Sequence, residues 1–98
     1  MHSKGEFGDV IIDGPLDLSL SLDKESAEIK GVKTPVDGDA DILVFPNIES
    51  ANIFYKTMTH FAGAKMAGIL QGTDKPVLLT SRSESAESKF YSIAMACL

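Results

Sequence analysis

The stretch Pro76-Val77-Leu78-Leu79-Thr80-Ser81-Arg82 joins an apolar run to a hydroxyl and a guanidinium. The run predicts a strand that is buried on both faces, and the residues after it predict a helix that begins near Ser83. An arginine in the first turn of a helix is unfavourable by about 0.3–1 kcal/mol unless an anion lies beside it, because the helix N-terminus carries a partial positive charge. The stretch therefore predicts a site where backbone N–H groups, Ser81 and Arg82 bind a phosphate or a developing oxyanion.

The same residues also fit a purely local role. Ser81 and Glu84 have the Ser-x-x-Glu spacing of a capping box, in which each side chain bonds the backbone of the other. In that interpretation Arg82 points into water. The stretch alone leaves both interpretations open.

Short apolar runs alternate with longer amphipathic segments along the chain, which is typical of buried strands separated by helices. Four strands are predicted, each bounded by Gly, Pro or Asp: Val10–Asp13, Asp41–Phe45, Met66–Leu70 and Val77–Thr80. Three helices are predicted: Lys24–Lys30, Glu49–Ala62 and about Ser83–Ala96. The pattern favours a three-layer α/β/α arrangement with a mostly parallel sheet.

A second group of polar side chains lies on the middle predicted helix. Asn52 and Lys56 are four residues apart and therefore share one face, beside an apolar stripe that includes Tyr55. An amide and an ammonium on one helical edge suit a carbonyl or phosphate oxygen. A solvated face is the alternative, although the neighbouring apolar residues leave little of this helix free to face solvent.

Composition narrows the choice of partners. The 98 residues carry a net charge of −5, so no basic stripe is available for nucleic acid or an anionic membrane, whereas a small phosphorylated ligand is compatible. The one cysteine, Cys97, excludes an internal disulfide, and its helical spacing places it in the core or at its edge. Neither a signal peptide nor a membrane-spanning run is recognised, which predicts a cytoplasmic protein.

No metal site is predicted. The segment 37–41 resembles the start of a calcium loop, but Ile42 and Ile48 occupy positions that need Gly and a bidentate Glu. His2 and His60 have no second ligand at metal spacing.

Several motifs, in order, resemble the C-terminal part of the phosphate acetyl/butyryltransferase family, and more closely its butyryl branch. They are Val10-Ile11-Ile12-Asp13-Gly14-Pro15-Leu16, Val36-Asp37-Gly38-Asp39-Ala40-Asp41-Ile42-Leu43, Pro46 to Lys56, Phe61 to Gly68, and Pro76 to Arg82 followed by Ser85-Ala86-Glu87. The resemblance implies the C-terminal part of the isocitrate/isopropylmalate dehydrogenase-like fold. It also implies reversible transfer of a butyryl or acetyl group between coenzyme A and phosphate, without an acyl-enzyme. Coenzyme A is then a substrate, and no cofactor is permanently bound.

The resemblance also implies roles for individual residues. Ser81 and Arg82 match the family's catalytic Ser-Arg pair, and Asn52, Tyr55 and Lys56 match a motif that we expect to contact phosphate or acyl phosphate. Acetyl-transferring members typically have Gly after the pair and an Asp six residues beyond the Arg, where this chain has Ser83 and Ser88. The nearby carboxylates are Glu84 and Glu87. The general base could be Glu84, Glu87 or neither of them.

Family members are several times longer and place the cleft between two domains. We therefore expect residues 1–98 to form one C-terminal domain or fragment that lacks the family's N-terminal domain and carries a partial active site. A non-catalytic anion-binding or assembly module is the alternative. Because few helices are available to cover both faces of the expected sheet, we also expect a homo-oligomer, or pairing with the missing N-terminal part.

Overall fold

A computed structural model of the chain describes residues 5–98, so His2 lies outside the described part. The chain divides into two compact units, of which the first ends at Val44 and the second begins at Phe45. The first unit contains helices α1 (Leu18–Leu22) and α2 (Lys24–Lys30), and the second contains α3 (Ile48–Phe61) and α4 (Ala86–Ala96).

The first unit is built around the packing of α1 against α2. Its buried apolar side chains are Leu20 and Ala27, one on each helix. Asp23 caps α2 by accepting hydrogen bonds from the backbone of its first turn, and Gly31, with φ 64°, ends the helix in the left-handed conformation. The predicted helix Lys24–Lys30 is confirmed, whereas α1 was not predicted.

The loop after α2 approaches the start of that helix closely. Gly38 has φ +74°, and a Cβ atom at this position would lie 2.3 Å from the backbone nitrogen of Lys24. Only glycine fits such a position. The Lys24 ammonium also forms an ion pair of 2.7 Å with the carboxylate of Asp37. Asp37 is the first residue of the segment that resembles the start of a calcium loop.

In the second unit, α3 begins after Asn47, whose side chain accepts a hydrogen bond of 2.8 Å from the Ser50 N–H. The helix ends at Phe61, and Gly63, with φ 64°, turns the chain so that the Ala64 N–H reaches back to the Met58 carbonyl at 3.0 Å. The prediction of a helix over Glu49–Ala62 is therefore confirmed to within one residue at each end.

The last helix starts later than the sequence predicts. Its N-cap is Ser85, which accepts a hydrogen bond from the Ser88 N–H, so α4 begins at Ala86 rather than near Ser83. The buried residue of α4 is Ser92, which is 1% exposed. Its hydroxyl donates to the Ser88 carbonyl and accepts from the Gly68 N–H, both at 2.9 Å, and so fastens the 64–69 segment to the helix.

The predicted three-layer fold with a parallel sheet is wrong for the described residues. The segments predicted as strands (Val10–Asp13, Asp41–Phe45, Met66–Leu70 and Val77–Thr80) form no sheet, and their one pairing is an isolated antiparallel bridge between Leu70 and Val77. An extended run becomes a strand only when a neighbour takes its backbone N–H and C=O groups. Apart from that bridge, the described residues supply no such neighbour.

The same segments leave large apolar side chains in solvent. Val44 is 92% exposed and Leu79 is 89% exposed, although both were predicted to lie in buried strands. Neither unit therefore has an extensive apolar core in its described residues. Among the described helices, none combines the length and the apolar character that crossing a membrane requires.

Candidate functional site

The Ser-Arg pair lies on a hydrogen-bonded turn that precedes α4. The Glu84 N–H donates to the Ser81 carbonyl at 3.1 Å, and the Ser81 N–H donates to Glu84 Oε1 at 3.1 Å. The Ser81 and Ser83 hydroxyls are 3.0 Å apart, and the Ser83 N–H donates to Ser81 Oγ at 3.4 Å. We call residues 81–84 the Ser-Arg turn. It has half of the expected capping-box bonding, but it does not begin a helix.

Helix α3 holds this turn through two consecutive side chains. The Tyr55 hydroxyl donates to Glu84 Oε1 at 3.0 Å, and the Lys56 ammonium donates to Ser83 Oγ at 3.2 Å. The ammonium also lies 4.8 Å from the centre of the Tyr55 ring, within the range of a cation–π contact. Two predicted binding residues are thus within bonding reach of the turn that carries the two predicted catalytic residues.

Arg82 is exposed at the surface of this turn. It lies before the N-cap Ser85, so the expectation that it occupies the first turn of a helix is wrong. The unfavourable interaction with the helix dipole falls off within that first turn and therefore does not apply to Arg82. Its availability for an anion has to be judged from its own surroundings.

Two cations of the site are not neutralised by carboxylates. Among the ion pairs found in residues 5–98, none includes Arg82 or Lys56. The polar partner of Lys56 is the neutral hydroxyl of Ser83. A cation whose side-chain partners are neutral keeps its full charge for an incoming anion.

Asn52 does not bond to the Ser-Arg turn. It is exposed, one helical turn before Lys56, and both line an open groove along α3 together with Ile53, Thr57, His60 and Phe61. The expectation that Asn52 and Lys56 share one side of the helix agrees with this groove. Sequence reasoning treated His60 as isolated, although its spacing of four residues from Lys56 was a signal that it belongs to the same side.

The Tyr55 phenol is protonated at neutral pH and donates its hydrogen. Partial burial raises the pKa of Tyr55 above its ordinary value, and the hydrogen bond to the Glu84 carboxylate acts in the same direction. The phenol therefore acts as a hydrogen-bond donor, and its partner Glu84 as the acceptor. The sequence around Glu84 predicts a cap or a base and contains no local signal for this link to α3, which joins residues 29 positions apart.

Glu87 belongs to a separate cluster. Its Oε1 accepts from Lys65 at 2.9 Å and from the Tyr91 hydroxyl at 3.0 Å. The hydrogen bond from Lys65, followed by the one from Tyr91, lowers the pKa of Glu87 below its ordinary value. A carboxylate stabilised in this way is a weaker base for a thiol proton.

Two other candidates from the sequence make no contact with the Ser-Arg turn in the bonds found among the described residues. Ser88, which stands where acetyl-transferring relatives are expected to have Asp, bonds to Ser85 at the start of α4. Cys97 is exposed at the end of α4 rather than packed in a core. Within residues 5–98, no three His, Cys, Asp or Glu side chains are grouped closely enough to hold a metal ion.

Comparison with known proteins agrees with the motifs. Residues 3–97 match the family described as Phosphate acetyl/butaryl transferase, and the chain belongs to this family. Over its whole length of 98 residues the chain is 48% identical to the phosphate butyryltransferase of Clostridium beijerinckii, and the match covers 32% of that protein. It is also 46% identical over its whole length to the phosphate acetyltransferase of Thermotoga maritima, and this match covers 33% of that protein.

A solved structure is also similar. The crystal structure of a branched-chain phosphotransacylase from Enterococcus faecalis V583 matches with a TM-score of 0.76 and 49% sequence identity. The match covers 86% of this chain and 32% of that one. The chain thus spans about a third of the length of the relatives that it matches.

Proposed function

We propose that this chain carries part of an active site that moves a short acyl group, butyryl or acetyl, between coenzyme A and inorganic phosphate. Family membership and the names of the relatives support acyl transfer involving phosphate. The observation that carries the proposal is the arrangement around the Ser-Arg turn. Lys56 bonds to Ser83 there, and neither Lys56 nor the exposed Arg82 is paired with a carboxylate among the described residues.

In this proposal the positive charges bind the phosphate group of the acyl phosphate. Arg82 supplies a planar fork for two phosphate oxygens, and Lys56 supplies a point charge beside it. The coenzyme A thiolate attacks the acyl carbonyl, a carbon–sulfur bond forms, the carbon–oxygen bond breaks, and phosphate leaves with the electron pair. Ser81 stabilises the oxyanion that develops on the carbonyl.

Asn52 and Tyr55 have supporting roles. Asn52 extends the line of donors along α3 and would contact the substrate from the groove that it shares with Lys56. Tyr55 acts through the Ser-Arg turn, to which it donates a hydrogen bond. Coenzyme A is a substrate in this scheme, and the scheme requires no permanently bound cofactor.

The test is a coenzyme A-release assay with butyryl-CoA and phosphate, using the 98-residue chain and its Arg82→Ala variant. Lys75→Ala is the matched control, because Lys75 is an exposed cation outside the site. Release that depends on phosphate and is lost only in Arg82→Ala supports the proposal. Phosphate binding without release fits a partial active site as well as the non-catalytic anion-binding module, so the assay is repeated with the N-terminal part of a relative added. Release that then appears supports the proposal, and continued absence of release indicates the module. Absence of both binding and release contradicts the proposal.

We also propose that the chain associates with another copy of itself. Many of its apolar side chains are in solvent, among them Phe61 at 89% and Ile42 at 81% exposure. A stable dimer buries about 800 Å² per partner, which is enough to cover several such side chains. Sedimentation velocity should show a dimer or larger species at micromolar concentration, and a folded monomer at high micromolar concentration would contradict this.

A further inference from the structure

We propose that Glu84 is a positioning residue, whose carboxylate holds the Ser-Arg turn against helix α3. One oxygen, Oε1, accepts from the Ser81 N–H at 3.1 Å and from the Tyr55 hydroxyl at 3.0 Å. The first bond fixes the shape of the turn, and the second fixes where the turn lies relative to the helix. Glu84 thereby connects the Ser-Arg turn to the binding residues of α3, and the proposed function needs both.

The neighbouring contacts show why such a connection is needed. Lys56 follows Tyr55 in α3 and bonds to Ser83, so the two halves of the site meet at adjacent residues of the helix and of the turn. Lys56 contributes one bond from a long, flexible side chain. The Tyr55–Glu84 bond joins a rigid ring to a partly buried carboxylate and is therefore the stiffer connection.

This assignment gives Glu84 a role other than that of the general base. A base has to release its hydrogen-bond partners or turn a free oxygen towards the thiol, whereas a positioning residue keeps them. The two roles respond differently to glutamine, because a glutamine carbonyl oxygen can still accept both bonds but cannot take a proton. Alanine removes both functions.

The inference rests on the proposed function where it concerns the Ser-Arg pair, so its test has parts that need no turnover. The variants are Glu84→Gln, Glu84→Ala and Tyr55→Phe, with Glu49→Gln and Glu49→Ala as controls. Glu49 is an exposed carboxylate of the same unit that lies outside the site. The controls reproduce the loss of charge without touching the Ser-Arg turn.

The first measurement is binding of inorganic phosphate by titration calorimetry. Glu84→Ala should weaken binding about tenfold, because the turn is no longer held next to Lys56, while Glu84→Gln should stay within about threefold of wild type. Tyr55→Phe should weaken binding in the same direction by less. If Glu84→Ala binds phosphate as well as the controls do, the positioning role is refuted.

The second measurement reads the connection itself and does not depend on any ligand. In a Tyr91→Phe background Tyr55 is the remaining tyrosine, so its ionisation can be followed by ultraviolet absorbance. Glu84→Ala should lower the pKa of Tyr55 and speed the hydrogen exchange of the Ser81 amide, and the Glu49 variants should change neither. Unchanged titration and exchange in Glu84→Ala would refute the inference even if wild type binds no phosphate.

The third measurement separates positioning from base catalysis. In the coenzyme A-release assay, Glu84→Gln should keep most of the wild-type kcat and Glu84→Ala should lose it. Equal loss in both variants, with phosphate binding preserved, would show that Glu84 is the base and overturn the proposal. If wild type itself neither binds phosphate nor releases coenzyme A, the proposed function fails, and the tyrosine titration and amide exchange still decide the role of Glu84.

Discussion

Replacement of Arg82 separates a role in binding from a role in folding. Arg82 is the one arginine of the chain, is exposed, and lies on the Ser-Arg turn before the cap of α4. We expect Arg82→Ala to weaken phosphate binding strongly and to leave the melting temperature nearly unchanged. The sequence alone predicts that stability changes little or even rises, because a cation would be removed from a first helical turn, and the later start of α4 removes the reason for a rise.

The magnitude follows from the kind of contact that is lost. A hydrogen bond to a charged group contributes about 1.5–3 kcal/mol, which corresponds to about one to two powers of ten in the dissociation constant. Arg82→Lys keeps the charge but replaces a planar fork by a single ammonium, so it should recover only part of the affinity. Lys75→Ala removes an equal charge elsewhere in the same unit and should leave binding within about twofold of wild type.

Calorimetric titration of phosphate into wild type, Arg82→Ala, Arg82→Lys and Lys75→Ala measures these differences, with thermal melts recorded alongside. Equal affinity in wild type and Arg82→Ala would refute the anion-binding role. A large fall in melting temperature for Arg82→Ala with binding intact would show that Arg82 is structural. The turn would then have the purely local role that the spacing of Ser81 and Glu84 allows.

Three further predictions concern the framework of the second unit. Asn47→Ala removes the N-cap of α3 and should cost about 1 kcal/mol, measured by urea unfolding followed by circular dichroism, and no shift in the midpoint would contradict the cap. Ser92→Ala leaves the partly buried Gly68 N–H without its acceptor and should cost about 1–3 kcal/mol in the same assay, against no effect if water replaces the hydroxyl. The hydrogen-bonded ion pair with Lys65 lowers the pKa of Glu87 in the folded state. The stability that this ion pair contributes is therefore complete above the ordinary pKa of 4.5 and is lost as pH falls through the lower folded value. Lys65→Met should flatten this acid dependence of the melting temperature, and an unchanged profile would contradict the prediction.

Helices could be predicted from the sequence where local signals determine them. Lys24–Lys30 has an Asp before it and a Gly after it, and these two residues cap the helix at its ends. The 14-residue helix α3 has an Asn cap and Gly63 beyond its end. Such signals act within one or two turns of the chain and need no information about distant residues.

Strands could not be predicted in the same way, because a strand depends on a partner elsewhere. The run Val77–Thr80 is apolar and β-branched enough to suit a buried strand, yet only Val77 finds a partner, Leu70, among the described residues. Apolar composition indicates that a segment should be covered but does not say by what. The fold class inferred from these runs failed for this reason.

The site shows the same division between local and distant information. The spacing of Asn52 and Lys56 predicted a shared side of α3, and the bonding between Ser81 and Glu84 follows from their separation of three residues. The bonds from Tyr55 and Lys56 to the turn span 29 and 27 positions and have no local signal. Only the resemblance to a family placed these residues in one site, without saying which of them touch.

The start of α4 at Ala86 also changes the source of affinity for an anion. The Ser-Arg turn lies before the cap Ser85, and the Ser88 N–H, one of the four N–H groups that the helix end leaves without a partner in the helix, is already bonded to that cap. We therefore expect affinity to come mainly from the charges of Arg82 and Lys56, which are exposed and half-buried respectively. Exposed charges are screened by salt, since the Debye length falls from about 10 Å at 0.1 M to about 3 Å at 1 M.

Phosphate binding should therefore weaken steadily as sodium chloride is raised over that range, and the dependence should be shallower in Arg82→Ala, which has one cation fewer at the site. Lys75→Ala should keep the wild-type slope, because its charge lies elsewhere. Titration calorimetry at several salt concentrations gives the three slopes. If backbone N–H groups and hydroxyls hold the anion instead, the three proteins should show nearly the same slope. That outcome would contradict the view that the charges of Arg82 and Lys56 supply most of the affinity.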